Sequence, residues 1–160
     1  MRATKLQGFT LVELIVVILL LTILSTYAAS RLFGRDSVAA MVTQQQVVSV
    51  IRQVQLNRMQ SNLDTSSIVG NDNFSLAVTS DCVGSQSACD LTSDARSDWV
   101  SGSDNGVFFS LNTDSPIGFD LLGNPVGSAA SGAVITISSS ADRCQVEINP
   151  QGYVFAGSCS

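Results

Sequence analysis

Glu13 stands between Val12 and Leu14, at the mouth of the uncharged run Leu14–Ser30. A lone carboxylate deep in hydrocarbon costs a few kcal/mol on insertion scales, so it either reaches water at the interface or needs a partner. Four cysteines, Cys82, Cys89, Cys144 and Cys159, form the second reactive set. An even count reads as disulfides in an exported domain and as metal or redox chemistry in the cytosol. Their gaps of six and fourteen residues do not match the paired spacing of a structural zinc site. Asp94, Asp98, Asp104 and Asn105 could offer oxygens to calcium, but no EF-hand spacing is present, and solvated turns account for them as well. The chain has no histidine, which removes the commonest general base and metal ligand. No nucleophile motif and no carboxylate pair at an interpretable spacing occurs. The expectation is a non-enzyme with no catalytic residue, cofactor, bound metal or small-molecule substrate.

The elements that must carry these groups divide the chain. From Phe9 the apolar stretch is roughly 20 residues, enough to cross about 30 Å of hydrocarbon as a helix. Secretory signals have shorter apolar cores of about 7–15 residues, although Tyr27-Ala28-Ala29-Ser30 loosely imitates a cleavage site. Arg2 and Lys5 precede the run, as positive-inside placement requires. Asp36 to Ser61 contains no Gly or Pro. Ala40, Val47, Val50, Ile51 and Val54 recur there at helical spacing, which predicts an amphipathic helix laying one face on a sheet. Gln44, Gln45, Arg52, Gln55 and Arg58 fall mostly off that stripe. The two arginines are expected to be solvated or paired with acids.

The remainder is acidic. Residues 61–160 hold two arginines against ten aspartates and one glutamate, a net charge of −9. Such a surface repels phosphate and argues against nucleic acid as a partner. Residues 63–99 read as a variable loop region with one or two strands, including Phe74–Val78. Asp104-Asn105-Gly106 signals a turn. Val107–Leu111, Ile117–Leu121, Val134–Ile137, Gln145–Ile148 and Tyr153–Ala156 read as strands, with Asn149-Pro150-Gln151-Gly152 closing the last hairpin. The expected class is α+β: a long N-terminal helix, membrane-spanning then amphipathic, packed on a C-terminal antiparallel sheet. Trp99 reads as a core or loop anchor.

The string Gly8-Phe9-Thr10-Leu11-Val12-Glu13-Leu14 resembles the processing site of type IV prepilins and type II secretion pseudopilins. The resemblance implies cleavage by prepilin peptidase between Gly8 and Phe9, and N-methylation of Phe9. It also implies pairing of Glu13 with the N-terminal amine of an adjacent subunit. The implied segments are a leader at 1–8, a transmembrane and assembly helix at 9–30, an amphipathic helix at 31–62 and a periplasmic β-rich head at 63–160. Inner-membrane lipid, prepilin peptidase and other pilin subunits are the implied partners. Many members carry glycine at the position of Thr22 and proline at that of Ser30. Their absence predicts a straighter upper helix, with Gly34 the remaining point of flexibility.

Within the family, the run Leu19–Ala28 ending in Ser30-Arg31-Leu32-Phe33, with two late cysteines, resembles minor pilins of the mannose-sensitive haemagglutinin (MSHA) kind, a fimbrial role with adhesion as a possible consequence. Ile117-Gly118-Phe119-Asp120, Gly123-Asn124-Pro125 and Gly152-Tyr153 resemble minor pseudopilins of the GspH type, so a type II secretion subunit stays open. So does a secreted adhesin cut near residue 30. With the head outside the inner membrane, the preferred disulfides are Cys82–Cys89 and Cys144–Cys159. In the second, Cys144 is expected to face Gly157, leaving Cys159 near the upper limit of bridging distance.

Overall fold

A computed structural model describes residues 10–32, 36–61, 63, 71–93 and 95–160. Gly8, Phe9, Gly34 and Asp94 lie outside the described residues. The chain divides into two compact units, one up to Arg35 and one from Asp36 to Ser160.

The first unit is a single helix, α1 (Leu11–Leu32). Its leucines and alanines favour helix, the β-branched Val and Ile cost only tenths of a kcal/mol each, and it contains neither Gly nor Pro to stop it. It runs unbroken through Thr22 and Ser30. Thr22 Oγ1, Ser25 Oγ and Thr26 Oγ1 donate to the carbonyls of Leu19, Leu21 and Ile23 at 2.8, 2.6 and 2.9 Å. These bonds satisfy polar hydrogens that lipid could not.

The second unit opens with α2 (Asp36–Gln60). The strands are β1 (Ser75–Val78), β2 (Cys82–Ser85), β3 (Trp99–Ser101), β4 (Phe108–Leu111), β5 (Ile117–Phe119), β6 (Pro125–Val126), β7 (Ala133–Ser138), β8 (Arg143–Ile148) and β9 (Val154–Cys159). Two short helices, α3 (Gln86–Leu91) and α4 (Gly102–Asn105), interrupt them. The class is α+β, with the strands in two antiparallel sheets, ordered β3-β2-β1-β5-β6 and β4-β7-β8-β9. The single expected sheet is therefore two. The cause is local: Asp104-Asn105-Gly106 ends the one-turn helix α4, with Gly106 at φ 67° as its left-handed cap. It does not close a hairpin, and β4 joins a different sheet from β3.

α2 contacts both sheets. Its stripe Ala40, Val47, Val50, Ile51 and Val54 is buried against Leu76, Val83, Ile135, Ile137, Val146 and Ile148. In β7 and β8 every second residue is buried, as a sheet with one covered face requires. The region read as loop with one or two strands contains β1 and β2, and also the helix α3. Cys-Val-Gly-Ser carries little strand propensity, and a six-residue helix is too short to signal itself. Ser85 caps α3, its Oγ accepting from Ala88 N at 3.2 Å.

Both disulfides fasten local elements. Cys82–Cys89 ties β2 to α3, with Cα atoms 5.8 Å apart. Cys144–Cys159 joins β8 to β9 with Cα atoms 4.1 Å apart. The anticipated register of this hairpin is wrong. Ile148 faces Val154, and a bulge between Cys144 and Val146 brings Cys144 opposite Cys159. Asn149 lengthens the turn by accepting from the backbone of Gln151 and Tyr153. The sequence separations are 7 and 15. Loop-closure entropy then gives about 2 and 3 kcal/mol of stabilisation. Removing the second pair (Cys144→Ser with Cys159→Ser) is expected to lower the melting temperature more than removing the first. Thermal unfolding of the two double variants checks the order.

Candidate functional site

The first candidate site is the N-terminal end of α1. Thr10 caps the helix: its Oγ1 accepts from the backbone N–H of Glu13 at 3.2 Å. Thr10-Leu11-Val12-Glu13 has the spacing of a capping box, which sequence reading overlooked. Glu13 thus lies in the first turn of α1, where a negative charge meets the positive end of the helix dipole. Around and beyond it, every side chain from Leu11 to Ala28 is exposed. Leu11 is 74% exposed and Leu24 62%. This helix is long and apolar enough to cross a membrane. Exposed apolar area of this extent is unstable in water at about 25 cal/mol per Å², so lipid or other protein has to cover it.

The head is organised by polar side chains of α2. Gln44 Nε2 donates to the carbonyls of Gln145 and Gly157 at 2.6 and 3.1 Å. Arg52 Nη2 donates to Val154 O at 2.7 Å. Gln55 Nε2 bridges Gly123 O and Gly152 O at 2.9 and 2.8 Å. Arg58 is 0% exposed. It donates from Nε to Phe119 O at 3.0 Å, and from Nη1 to Ser61 Oγ and Leu63 O at 2.8 and 3.0 Å. Arg52 is exposed, as expected, while also reaching a carbonyl. The expectation for Arg58 is corrected: it is buried on carbonyls, and among the described residues neither arginine forms an ion pair. Gln44 and Gln55 are likewise buried. Long side chains off the apolar stripe can still reach strand carbonyls: Gln44 bridges β8 and β9 at the bulge beside Cys144, and Arg52 reaches β9.

Gly123 and Gly152, from two separate turns, meet at Gln55. Gly152, at φ 77°, abuts Gly123; a Cβ on Gly152 would lie 2.2 Å from Gly123 O. Asp120 closes the turn, accepting from the backbone of Leu122 and Asn124 and from Asn124 Nδ2, each at 2.8 Å. Burial opposes ionisation of Asp120, but these donors outweigh it and hold the carboxyl below its ordinary range.

Of the calcium candidates, Asp98, Asp104 and Asn105 fall among the described residues. Asp98 is 6% exposed and binds Arg96 Nη2 at 2.7 Å. It also accepts from Ser85 Oγ at 2.5 Å. Asp104 and Asn105 belong to α4. Among the described residues no group of three acidic, Cys or His side chains could hold a metal. The Arg96 hydrogen bond, more than any other cause, keeps the Asp98 carboxyl below its ordinary value of 3.8. A group depressed on folding contributes stability above its unfolded pKa and loses it as pH falls through the folded value. Head stability is therefore expected to fall steeply below about pH 4. Asp98→Asn is expected to flatten that slope, read as melting temperature against pH.

A family model described as the prokaryotic N-terminal methylation motif matches residues 4–29. No curated protein and no solved structure matches the chain. The matched segment holds Gly8, Phe9, Glu13 and the exposed apolar helix. It marks pilin-like structural proteins, supports a type IV pilin- or pseudopilin-like subunit, and fits a membrane-anchored chain that assembles with its own kind.

Proposed function

We propose that this chain is a minor type IV pilin of the MSHA kind, made as a precursor and built into a filament. Prepilin peptidase hydrolyses the Gly8–Phe9 amide, leaving a carboxylate on Gly8 and a free amine on Phe9, which is then N-methylated. Residues 1–8 are the leader and 9–30 the membrane and assembly helix. Inner-membrane lipid covers the helix before assembly, and neighbouring helices cover it afterwards. Residues 31–62 carry the amphipathic helix into a periplasmic head, 63–160, where an oxidising compartment maintains both disulfides. Glu13 pairs with the Phe9 amine of an adjacent subunit, which sets register while apolar packing supplies most of the attraction.

One observation carries the pilin-like part of this reading: a bare apolar helix with a single carboxylate in its first turn lies within the residues the methylation motif matches. A minor pseudopilin of a type II secretion system is the second reading. The elements Ile117–Asp120, Gly123–Pro125 and Gly152–Tyr153 favour it. Expression with and without prepilin peptidase tests the processing step. The chain should shorten by the leader only when the peptidase is present. Shortening without it, or a start near residue 30, would point to ordinary signal peptidase and a secreted adhesin.

A further inference from the structure

We propose that a pocket on the outward face of the β4-β7-β8-β9 sheet binds a guanidinium group carried on a short alkyl stem. The pocket encloses ≈ 330 Å³, within the size range of small-molecule sites. It is built on one row of residues that crosses the sheet. Asn112, just beyond β4, bonds Val134 twice: its N–H donates to Val134 O at 3.2 Å, and its Oδ1 accepts from Val134 N at 2.8 Å. Val134 pairs with Glu147 on β8, and Glu147 with Phe155 on β9. Pro150, in the turn after β8, also lines the pocket. The side chains of this row point away from α2, because side chains alternate along a strand and their neighbours Ile135, Val146, Ile148 and Val154 fill the core.

Glu147 is the anomaly. It is half-buried, and its cross-strand neighbours, Val134 and Phe155, can neither hydrogen-bond nor neutralise a carboxylate. Among the described residues that carboxylate has no hydrogen bond and no ion pair. A charge drawn partly out of water gains from a cation that replaces the lost solvation. The surrounding head, with its net charge of −9 over residues 61–160, draws cations in and repels anions.

The row also selects the cation. Phe155 sets a ring beside the carboxylate, where a cation can meet both. Val134 and Pro150 give apolar surface to an alkyl stem. A guanidinium is planar and weakly hydrated, so it pairs with a carboxylate through two parallel bonds while stacking on an aromatic face. An ammonium is a compact, strongly hydrated point charge and uses the ring less well. A metal ion finds a single carboxylate here, and among the described residues no group of three metal-binding side chains occurs. The parts are in place before a ligand arrives, which lowers the cost of binding. Tyr153 stacks on Phe155 with ring centres 5.6 Å apart, holding the ring. Gly157 leaves the carboxylate its room, since a Cβ there would lie 2.9 Å from Glu147 Oε1.

The group can arrive on a free molecule or on an arginine of another protein, and calorimetry separates the two. The full-length chain, held in an uncharged detergent at physiological ionic strength, is titrated with n-butylguanidine and with an end-blocked peptide of neutral residues around one arginine. At least one should bind saturably, one per chain, and the tighter of the two identifies the source. n-Butylammonium should bind about fivefold more weakly than n-butylguanidine. Glu147→Gln keeps the shape, removes the charge, and should weaken binding about tenfold or more without lowering the melting temperature. Phe155→Leu should weaken it about threefold. The proposal is overturned if neither probe binds saturably, or if n-butylammonium or calcium binds as tightly as the guanidine. It is overturned too if Glu147→Gln leaves binding intact, because the attraction would then belong to the acidic head as a whole. None of these outcomes bears on filament assembly, since the pocket lies wholly in the second unit.

Discussion

Replacing Glu13 with glutamine is expected to leave removal of residues 1–8 unchanged while cutting recovery of the chain in sheared filaments about tenfold or more. Glutamine keeps the size of the side chain and removes its charge. A partner amine then loses its counter-ion in an apolar setting, and about 1.4 kcal/mol of lost pairing already gives tenfold. The backbone N–H of Glu13 still reaches Thr10 Oγ1, so the helix start survives. Glu13→Ala should be at least as severe. Glu13→Asp should recover part of the signal, because it keeps the charge on a shorter reach. Quantifying the subunit in filament and membrane fractions checks this series. Equal incorporation of the glutamine variant and the native chain would show that charge pairing does not govern assembly.

Arg58→Ala is expected to destabilise the head by about 4 kcal/mol, combining the cavity left by a large buried side chain with the loss of charge-assisted hydrogen bonds. Arg58 makes bonds to Phe119 O, Leu63 O and Ser61 Oγ, and no carboxylate among the described residues offsets its charge. That combination makes a contrast informative. Arg58→Met keeps most of the volume and removes the buried cation together with its bonds. It should cost clearly less than alanine, about 1–3 kcal/mol, because desolvation of the guanidinium is relieved at the same time. Arg58→Lys keeps the charge but cannot reproduce the planar fork, and should fall between the two. Thermal unfolding of the full-length variants, followed by Trp99 emission, ranks them. A stable alanine variant would show that the carbonyls of Phe119 and Leu63 find other donors and that Arg58 is not an anchor.

The parts of this structure written in local pattern could be read before folding was considered. An uncharged apolar run without Gly or Pro yields α1, and the stripe from Ala40 to Val54 is the face α2 buries. Alternation in Val134–Ile137 and Gln145–Ile148 yields the centre of the second sheet. What escaped depends on contacts between distant residues. Gln44, Gln55 and Arg58 are polar, and polarity alone argues for exposure. Only the arrival of strand and turn carbonyls from more than 60 residues away makes their burial favourable. The division into two sheets turns on α4, a single helical turn with no periodic signature. The bulge beside Cys144 shifts register by one residue, which alternation cannot reveal. At the candidate assembly site, Gly8, Phe9 and Glu13 were named by motif. The capping role of Thr10 was missed although its T-x-x-E spacing was in view.

The most direct test of the central claim is the intact mass of the native chain recovered from sheared filaments. A filament subunit processed at the motif should begin at Phe9, carry one methyl group on its new amine, and retain both disulfides. A chain that starts near residue 30, or is found only free in the soluble fraction without α1, would contradict the claim, because the surface held to drive assembly would be gone.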